Sequence, residues 1–143
     1  MRTNKMYLEH ANITVTDIKE SIRFFKTAFP HFRIRGGGNG RREWVHLGDD
    51  HTYIAINQAK DLNGRFLKNY EKIGINHIGF VVEDVEEIAS NLIKNGFKRD
   101  YPKQIETYRI RDYFADADGN EFEFVQYLSE KPAERNRYES TAL

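Results

Sequence analysis

The stretch INHIGFVVEDVEEIASNL, residues 75–92, reads as two elements joined without a break. In its first half the side chains alternate, with Ile78, Phe80 and Val82 on one face and His77 on the other, as a half-buried strand requires. From there the apolar positions become Val85, Ile88 and Leu92, the spacing of an amphipathic helix. Asp84 stands where an N-cap accepts from the N3 amide, and Glu87 follows three residues later, an aspartate form of the capping box. Working outward, the pattern occurs a second time nearer the N-terminus. LEHANITVTDIKESIRFF, residues 8–25, sets His10 against His77, Ile13 against Phe80, Val15 against Val82, Asp17 against Asp84 and Glu20 against Glu87, with a constant offset of 67 residues, as from His10 to His77.

Each copy continues into further strands. In the first, residues 41–47 (REWVHL from Arg42) turn through residues 48–51 into TYIAIN, residues 52–57, and a strand is expected near residues 32–35. In the second, TYRIRDYFA, residues 107–115, turns through DADGN into EFEFVQ, residues 121–126, with a strand near residues 97–99. Pro30 closes the first helix and Gly96 the second. The reading is therefore an α+β chain of two tandem βαβββ units in one domain spanning residues 1–143. Unit one covers about residues 6–58, a connection residues 59–74, unit two residues 75–128, and a polar tail residues 129–143. The connection carries Phe66, Leu67 and Tyr70 and is expected to pack. The tail has no periodicity and is expected to be mobile or docked on a neighbour. GGGNG, residues 36–40, suggests a phosphate cradle, but no Lys-Ser/Thr pair or helix pattern follows, so it reads as a flexible hairpin loop.

Composition narrows the function. With 22 basic and 22 acidic residues interspersed, the chain has no electrostatic footprint for nucleic acid or an anionic membrane, so a small-molecule substrate is the expected partner. Without cysteine, disulfides, thiolate ligands and a thiol nucleophile are all excluded, and any metal must be held by nitrogen and oxygen. No apolar run approaches a bilayer span and the N-terminus has no apolar signal core, so a cytoplasmic location is expected.

Strand parity then groups the chemistry. Ala11, Ile13 and Val15 form the apolar face of the first strand and leave His10 opposite, the same parity as His77. In the last strand Phe122 and Phe124 are the apolar pair, so Glu121 and Glu123 share the other face. If the apolar faces meet the helices, both histidines and a glutamate turn to the helix-free side. Two neutral imidazoles and a carboxylate suit Fe, Mn, Zn, Ni or Co, with coordination positions left open for substrate. A lone strand histidine is ordinarily just a hydrogen-bonding group; the repetition at matching positions is what favours a ligand role. His31, His46 and His51 have no partner pattern and read as surface or structural. Asp116 and Asp118 of DADGN lie in a tight turn between strands, where they would hydrogen-bond turn amides and not calcium.

Taken together, the paired units, the strand histidine in each and the closing DADGNEFEFVQ resemble the vicinal oxygen chelate superfamily of glyoxalases, fosfomycin-resistance thiol transferases, extradiol dioxygenases, an epimerase and bleomycin-binding proteins. The resemblance covers roughly residues 6–128. It implies a curved, partly open mixed-sheet barrel with helices outside and a cup inside, one divalent metal on His10, His77 and Glu123, and a homodimer. It is also what selects Glu123 over Glu121. It further implies that Ala55 stands where glyoxalase I has a fourth ligand, a glutamate, with Tyr53 and Asn57 beside it to contact substrate or water. In residues 107–115, Arg109, Arg111 and Tyr113 share the metal side; the resemblance implies a catalytic phenol at Tyr113, and Arg109, Arg111 or Lys103 could bind an anionic substrate group. The expected activity is that of a metal-dependent, glyoxalase-like enzyme on a small oxygenated metabolite, with lyase or isomerase, thiol-transferase and dioxygenase chemistry open. The alternative is a non-catalytic protein that sequesters a small ligand.

Overall fold

The computed structural model describes residues 6–63, 70–71 and 73–138, and the chain divides into two compact units, Met1–Arg65 and Phe66–Leu143. The first unit runs β1 (His10–Val15), α1 (Ile18–Ala28), β2 (Arg33–Asn39), β3 (Glu43–Gly48) and β4 (Tyr53–Gln58). Its sheet has the order β1-β4-β3-β2, with β1 parallel to β4 and the other pairs antiparallel. The second unit repeats the plan with β5 (His77–Val81), α2 (Val85–Lys94), β6 (Lys98–Ile105), β7 (Arg109–Ala115) and β8 (Glu121–Tyr127), ordered β5-β8-β7-β6, followed by a single turn, α3 (Pro132–Arg135). The fold is thus α+β with two βαβββ units, as the sequence predicts. Among the described residues no ladder joins the two sheets, so the strands form two four-stranded mixed sheets and no closed barrel.

In each unit the helix covers one sheet face. Helix α1 buries Ile18, Phe24, Phe25 and Ala28 against β3 and β4, where Leu47, Ile54 and Ile56 are fully or nearly fully buried. Helix α2 buries Val85, Ala89 and Leu92 over β6, β7 and β8, where Phe114, Phe122 and Phe124 form the floor. Each such valine, leucine, isoleucine or phenylalanine contributes about 1.5–3 kcal/mol of transfer free energy, so a one-residue register slip, which would expose a whole row, is strongly disfavoured. That penalty fixes which side chains face away from the helix.

The caps show a device absent from the local sequence pattern. The Gln58 side chain at the end of β4 accepts from the Ile18 amide at 3.2 Å, and Gln126 at the end of β8 accepts from the Val85 amide at 3.0 Å. In both units the last strand therefore satisfies the first free N–H of the helix, tying helix start to sheet end. Asp84 accepts from Glu87, the N3 amide, as expected, but Asp17 accepts from Lys19, one residue earlier. Glu20 does not reach back to the cap; it pairs with Arg23 at 2.9 Å. Helix α2 ends with Gly96 at φ +86° and the paired Gly96→Ile93 and Phe97→Leu92 bonds of a Schellman motif.

Three expectations are corrected here. The glycine run is not a loop: residues 36–39 belong to β2 and pair with β3, Gly38 opposite Trp44. A Cβ on Gly38 would come within 2.9 Å of the Trp44 indole nitrogen, so the absence of a side chain lets the indole lie against this edge strand. Strand β6 runs on to Ile105, with irregular pairing around Pro102, which an edge strand tolerates because one side of its backbone needs no partner. The described part of the tail, through Tyr138, lies against its own unit: the Arg135 guanidinium lies 4.0 Å from the Tyr127 ring centroid, and Arg109 lies 4.6 Å from that of Tyr138. Phe66 and Leu67 of the connection lie outside the described residues.

Candidate functional site

In unit two, the face of the sheet opposite α2 brings together His77, Glu121, Glu123, Tyr113 and Tyr70. The ladder sets His77 beside Glu121 on β8, and Glu123 between Gly79 on β5 and Tyr113 on β7. His77 Nε2 lies 3.6 Å from Glu123 Oε2. On its other side His77 Nδ1 is 2.9 Å from the Tyr70 hydroxyl and 3.3 Å from Glu121 Oε1. Tyr70 donates its only proton to Glu121 Oε1, so the hydrogen-bond arrangement assigns the proton on the imidazole to Nδ1, donated to the phenol oxygen. Nε2 then carries the free lone pair and faces the Glu123 carboxylate.

Glu123 is held from the far side. Its Oε1 accepts from the Tyr113 hydroxyl at 2.6 Å, and Arg111 Nη1 stands 3.8 Å from the same oxygen. Its Oε2 comes so close to β5 that a Cβ on Gly79 would lie 3.2 Å away. Burial, then the bond to Glu123, pushes the Tyr113 phenol well above the usual tyrosine range, so it stays protonated as a donor. Burial raises the Tyr70 phenol in the same direction, with Glu121 adding to it. The Glu121 carboxyl is pushed up to about 7, first by burial and then by its hydrogen bond with the Asp100 carboxyl.

Two donors on one ion with bonds of about 2.1 Å stand about 3.0 Å apart at a right angle and about 3.4 Å apart at a tetrahedral one. The His77 to Glu123 separation is within a few tenths of an ångström of that range, and each donor has its second atom engaged by a supporting group, the arrangement by which a ligand's tautomer and orientation are fixed. The two residues therefore fit one edge of a divalent metal's coordination shell. Among the described residues no cluster of three or more His, Cys, Asp or Glu side chains is close enough to hold an ion, so His77 and Glu123 stand as a pair of donors and not as part of a larger cluster.

The corresponding face of unit one is built differently. His10 stacks on Tyr53 with ring centroids 4.6 Å apart and planes 9° from parallel, and its Nδ1 lies 2.9 Å from the carboxylate of its neighbour Glu9. His46 also stacks with Tyr53, at 4.7 Å, and Arg35 lies 4.4 Å from the same ring centroid. His46 pairs with Ala55 across the ladder, as Tyr113 pairs with Glu123. The sequence reading dismissed His46 as surface or structural; its flanking buried or half-buried Val45 and Leu47 were the available signal that it faces the open side. By the same register Ala55 occupies the repeat position of Glu123, with a methyl in place of a carboxylate. Asn57 donates to Asn12 Oδ1 at 2.7 Å and to the Ile13 carbonyl at 3.3 Å.

Of the cationic candidates, Arg111 lies near Glu123, but its Nη2 is engaged by Gln104 at 2.5 Å and Glu106 at 2.7 Å, and its Nε is a buried donor without a partner among the described residues. Arg109 is 6% exposed and spent on Glu106, at 2.5 Å, and on Tyr138, so it offers no free guanidinium to an anionic substrate. Lys103 lies within β6, not in a loop, and its ammonium pairs with Glu86 in the first turn of α2 at 2.5 Å, on the helix side. Tyr113 is 7% exposed and spends its proton on Glu123, which makes it in this geometry an orienter of that carboxylate. Tyr70, in the aperiodic connection, was missed as a site residue because nothing local distinguishes it. Asp116 accepts from the Asp118 and Asn120 amides, both at 2.9 Å, as a turn organiser.

Residues 7–124 match the family model of the glyoxalase/bleomycin resistance protein/dioxygenase superfamily. No curated protein matches. Among solved structures, a glyoxylase/bleomycin resistance protein/dioxygenase domain from Frankia sp. EAN1pec is 21% identical with a TM-score of 0.73, over 94% of this chain and 100% of that one. The fosfomycin resistance protein FosX from Mesorhizobium loti is 21% identical with a TM-score of 0.65, over 94% and 98%. A variant of FosX from Listeria monocytogenes, solved with Mn(II) and 1S,2S-dihydroxypropylphosphonic acid, is 19% identical with a TM-score of 0.66, over 94% and 96%. At these identities the structural likeness shows the fold. Among the described residues no helix is long and apolar enough to cross a membrane.

Proposed function

Because the chain belongs to the glyoxalase/bleomycin resistance protein/dioxygenase superfamily, we propose that it is a metal-dependent, glyoxalase-like enzyme acting on a small oxygenated metabolite. His77 and Glu123 would hold a divalent cation, with His10 as the third ligand and a homodimer as the working form. When bound, such an ion acts as a Lewis acid on substrate oxygens and stabilises negative charge developing there. The single observation that carries the reading is the 3.6 Å approach of His77 Nε2 to Glu123 Oε2, with both side chains braced from behind.

The chain's own residues divide the remaining work. Tyr70 and Glu121 keep the Nδ1 proton in place so that His77 presents an unprotonated Nε2. Tyr113 holds one carboxylate oxygen of Glu123 and leaves the other free. Glu121, with its carboxyl near neutrality, is linked to the imidazole through the Tyr70 hydroxyl and lies 3.3 Å from Nδ1, so it is placed to take up or release a proton as His77 changes its bonding. The divalent metal found with the Listeria FosX variant supports the choice of ion class, and the shared family supports the cation itself.

The test is metal content of the protein purified without chelator and reloaded with Mn(II), wild type against His77→Ala. The variant is expected to lose most of the bound metal; equal content in the two proteins defeats the proposal. Thiol addition to an epoxide, isomerisation of a hemithioacetal and oxygen uptake with catechols then sort the chemistry, and saturable ligand binding without product in any of them marks a sequestering protein.

A further inference from the structure

On the open face of unit one, along β1 from His10 and including the substrate-contact candidate Asn57, lies a cleft of about 380 Å³ lined by Asn12, Thr14, Arg41, Arg42, Trp44 and Asn57; the inference deepens the proposed function and rests on it only for the ligand's being a substrate. We propose that this cleft binds a small planar carboxylate, its charged end between the Arg41 and Arg42 guanidinium groups and its flat body along the Trp44 indole.

Three observations carry this. The first is charge. Both guanidinium groups come from the turn joining β2 to β3, both are exposed, and among the described residues neither has an ion pair or hydrogen bond; no acidic side chain lines the cleft. Two cations one residue apart repel each other, and an anion between them removes that repulsion while accepting charge-assisted hydrogen bonds. The second is donor supply. Asn57 gives its amide to Asn12 Oδ1 and the Ile13 carbonyl, and among the described residues the Asn12 amide N–H groups and the Thr14 hydroxyl have no partner. The third is shape. Trp44 lies against the bare Gly38 and is tilted against His46, ring centroids 4.9 Å apart, so its ring is positioned by contacts on its own sheet while it lines the cleft. A second cavity of about 160 Å³ shares Asn12, Trp44 and Asn57 and extends over Ala55 to His46. The methyl of Ala55, at the repeat position of Glu123, leaves that floor uncharged and open to the body of a ligand. The first cavity falls within the range of roughly 300–1,000 Å³ common to small-molecule sites.

Trp44 is the single tryptophan of the chain, so its fluorescence reports on this cleft alone. The experiment titrates wild-type protein with benzoate in the presence of EDTA, so that the metal reading is not involved, and repeats it with benzamide, with inorganic phosphate and with the R41A/R42A double variant. Expected are a saturable fluorescence change with benzoate, binding at least tenfold weaker for benzamide and for phosphate, and a tenfold or greater loss in R41A/R42A. No saturable response to benzoate overturns the proposal. So does equal binding of benzamide, which removes the role of charge, of phosphate, which removes the role of the indole, or of the double variant, which removes the role of the arginines. Both arginines are exposed turn residues; should the variant nevertheless fail to fold, the three titrations of wild-type protein decide.

Discussion

Replacing Gly79 by alanine should move stability and metal affinity in opposite directions, because the same missing methyl group matters differently to each. Gly79 lies within β5, and its backbone is not in the left-handed region, so alanine fits the main chain without strain. A glycine fixed in a strand loses more backbone freedom than alanine, and relieving that is worth about 0.4–1 kcal/mol. The new Cβ, however, would stand 3.2 Å from Glu123 Oε2, closer than ordinary van der Waals contact by a few tenths of an ångström. The carboxylate cannot simply swing away, since its Oε1 is held by Tyr113 at 2.6 Å and its side chain is only 15% exposed. Displacing an oxygen that must lie at a fixed bond length from a cation, or loosening the bond that orients it, costs about 10–100-fold in metal affinity. Urea unfolding of the metal-free protein should therefore show Gly79→Ala unchanged to slightly more stable, while calorimetric titration with Mn(II) should show binding at least tenfold weaker. An affinity within threefold of wild type in a folded variant would refute the placement of Glu123 Oε2 at a metal.

Two further outcomes follow from charges buried on or beside β7. Asp112 is fully buried and binds Arg99 through both oxygens, at 2.7 and 2.8 Å, while accepting from the Tyr113 amide at 3.0 Å. Breaking a buried pair costs about 3–5 kcal/mol; since the Arg99 side chain is 34% exposed and can be rehydrated, Asp112→Ala should cost about 2–3 kcal/mol in urea unfolding, and a loss under 1 kcal/mol would contradict this. For Glu106, burial alone would raise the carboxyl, but hydrogen bonds and charge from Arg109 and Arg111 hold it below its ordinary value of 4.5. A carboxyl depressed in the folded state stabilises fully above its unfolded value and loses that contribution as pH falls through the lower, folded one. The stability gap between wild type and Glu106→Gln should thus be constant from neutral pH down to about 4.5 and shrink below it; a gap that widens on acidification would reverse the assignment.

What could be read from the sequence follows the range over which each signal acts. Alternation along a strand is local, and it placed His10, His77, Glu121, Glu123 and Tyr113 opposite the helices because the buried Phe122 and Phe124, or the apolar Ile78, left them no other face. Contacts made across strands were not legible. Four residues of GGGNG became a strand because β3 supplies Trp44 to lie on it, and nothing within the run says so. Lys103 and Arg109 were assigned to substrate although Glu86 and Glu106 already neutralise them, the first on a helix that no local pattern brings beside β6. The paired glutamine caps escaped notice for the same reason: Gln58 and Gln126 meet the helices only through the sheet.

The register shows how far the two copies have diverged on the faces that the helices leave open. In unit two the row His77–Glu121–Ala115 is followed by Gly79–Glu123–Tyr113; in unit one the same positions read His10–Tyr53–Gly48 and Asn12–Ala55–His46. Both strand carboxylates of unit two have thus become a phenol and a methyl. The imidazole of His10 accordingly rests by stacking on Tyr53 and reaches Glu9, half exposed, whereas that of His77 is oriented by the Tyr70 hydroxyl, itself anchored on the fully buried Glu121. A buried acceptor fixes a tautomer and raises ligand basicity; an exposed neighbour in water does neither to a comparable degree. Ionic chemistry is therefore concentrated on the second copy. The first, with a phenol and a methyl where unit two carries carboxylates, keeps the room and the aromatic surface that the proposed organic ligand would need beside Trp44.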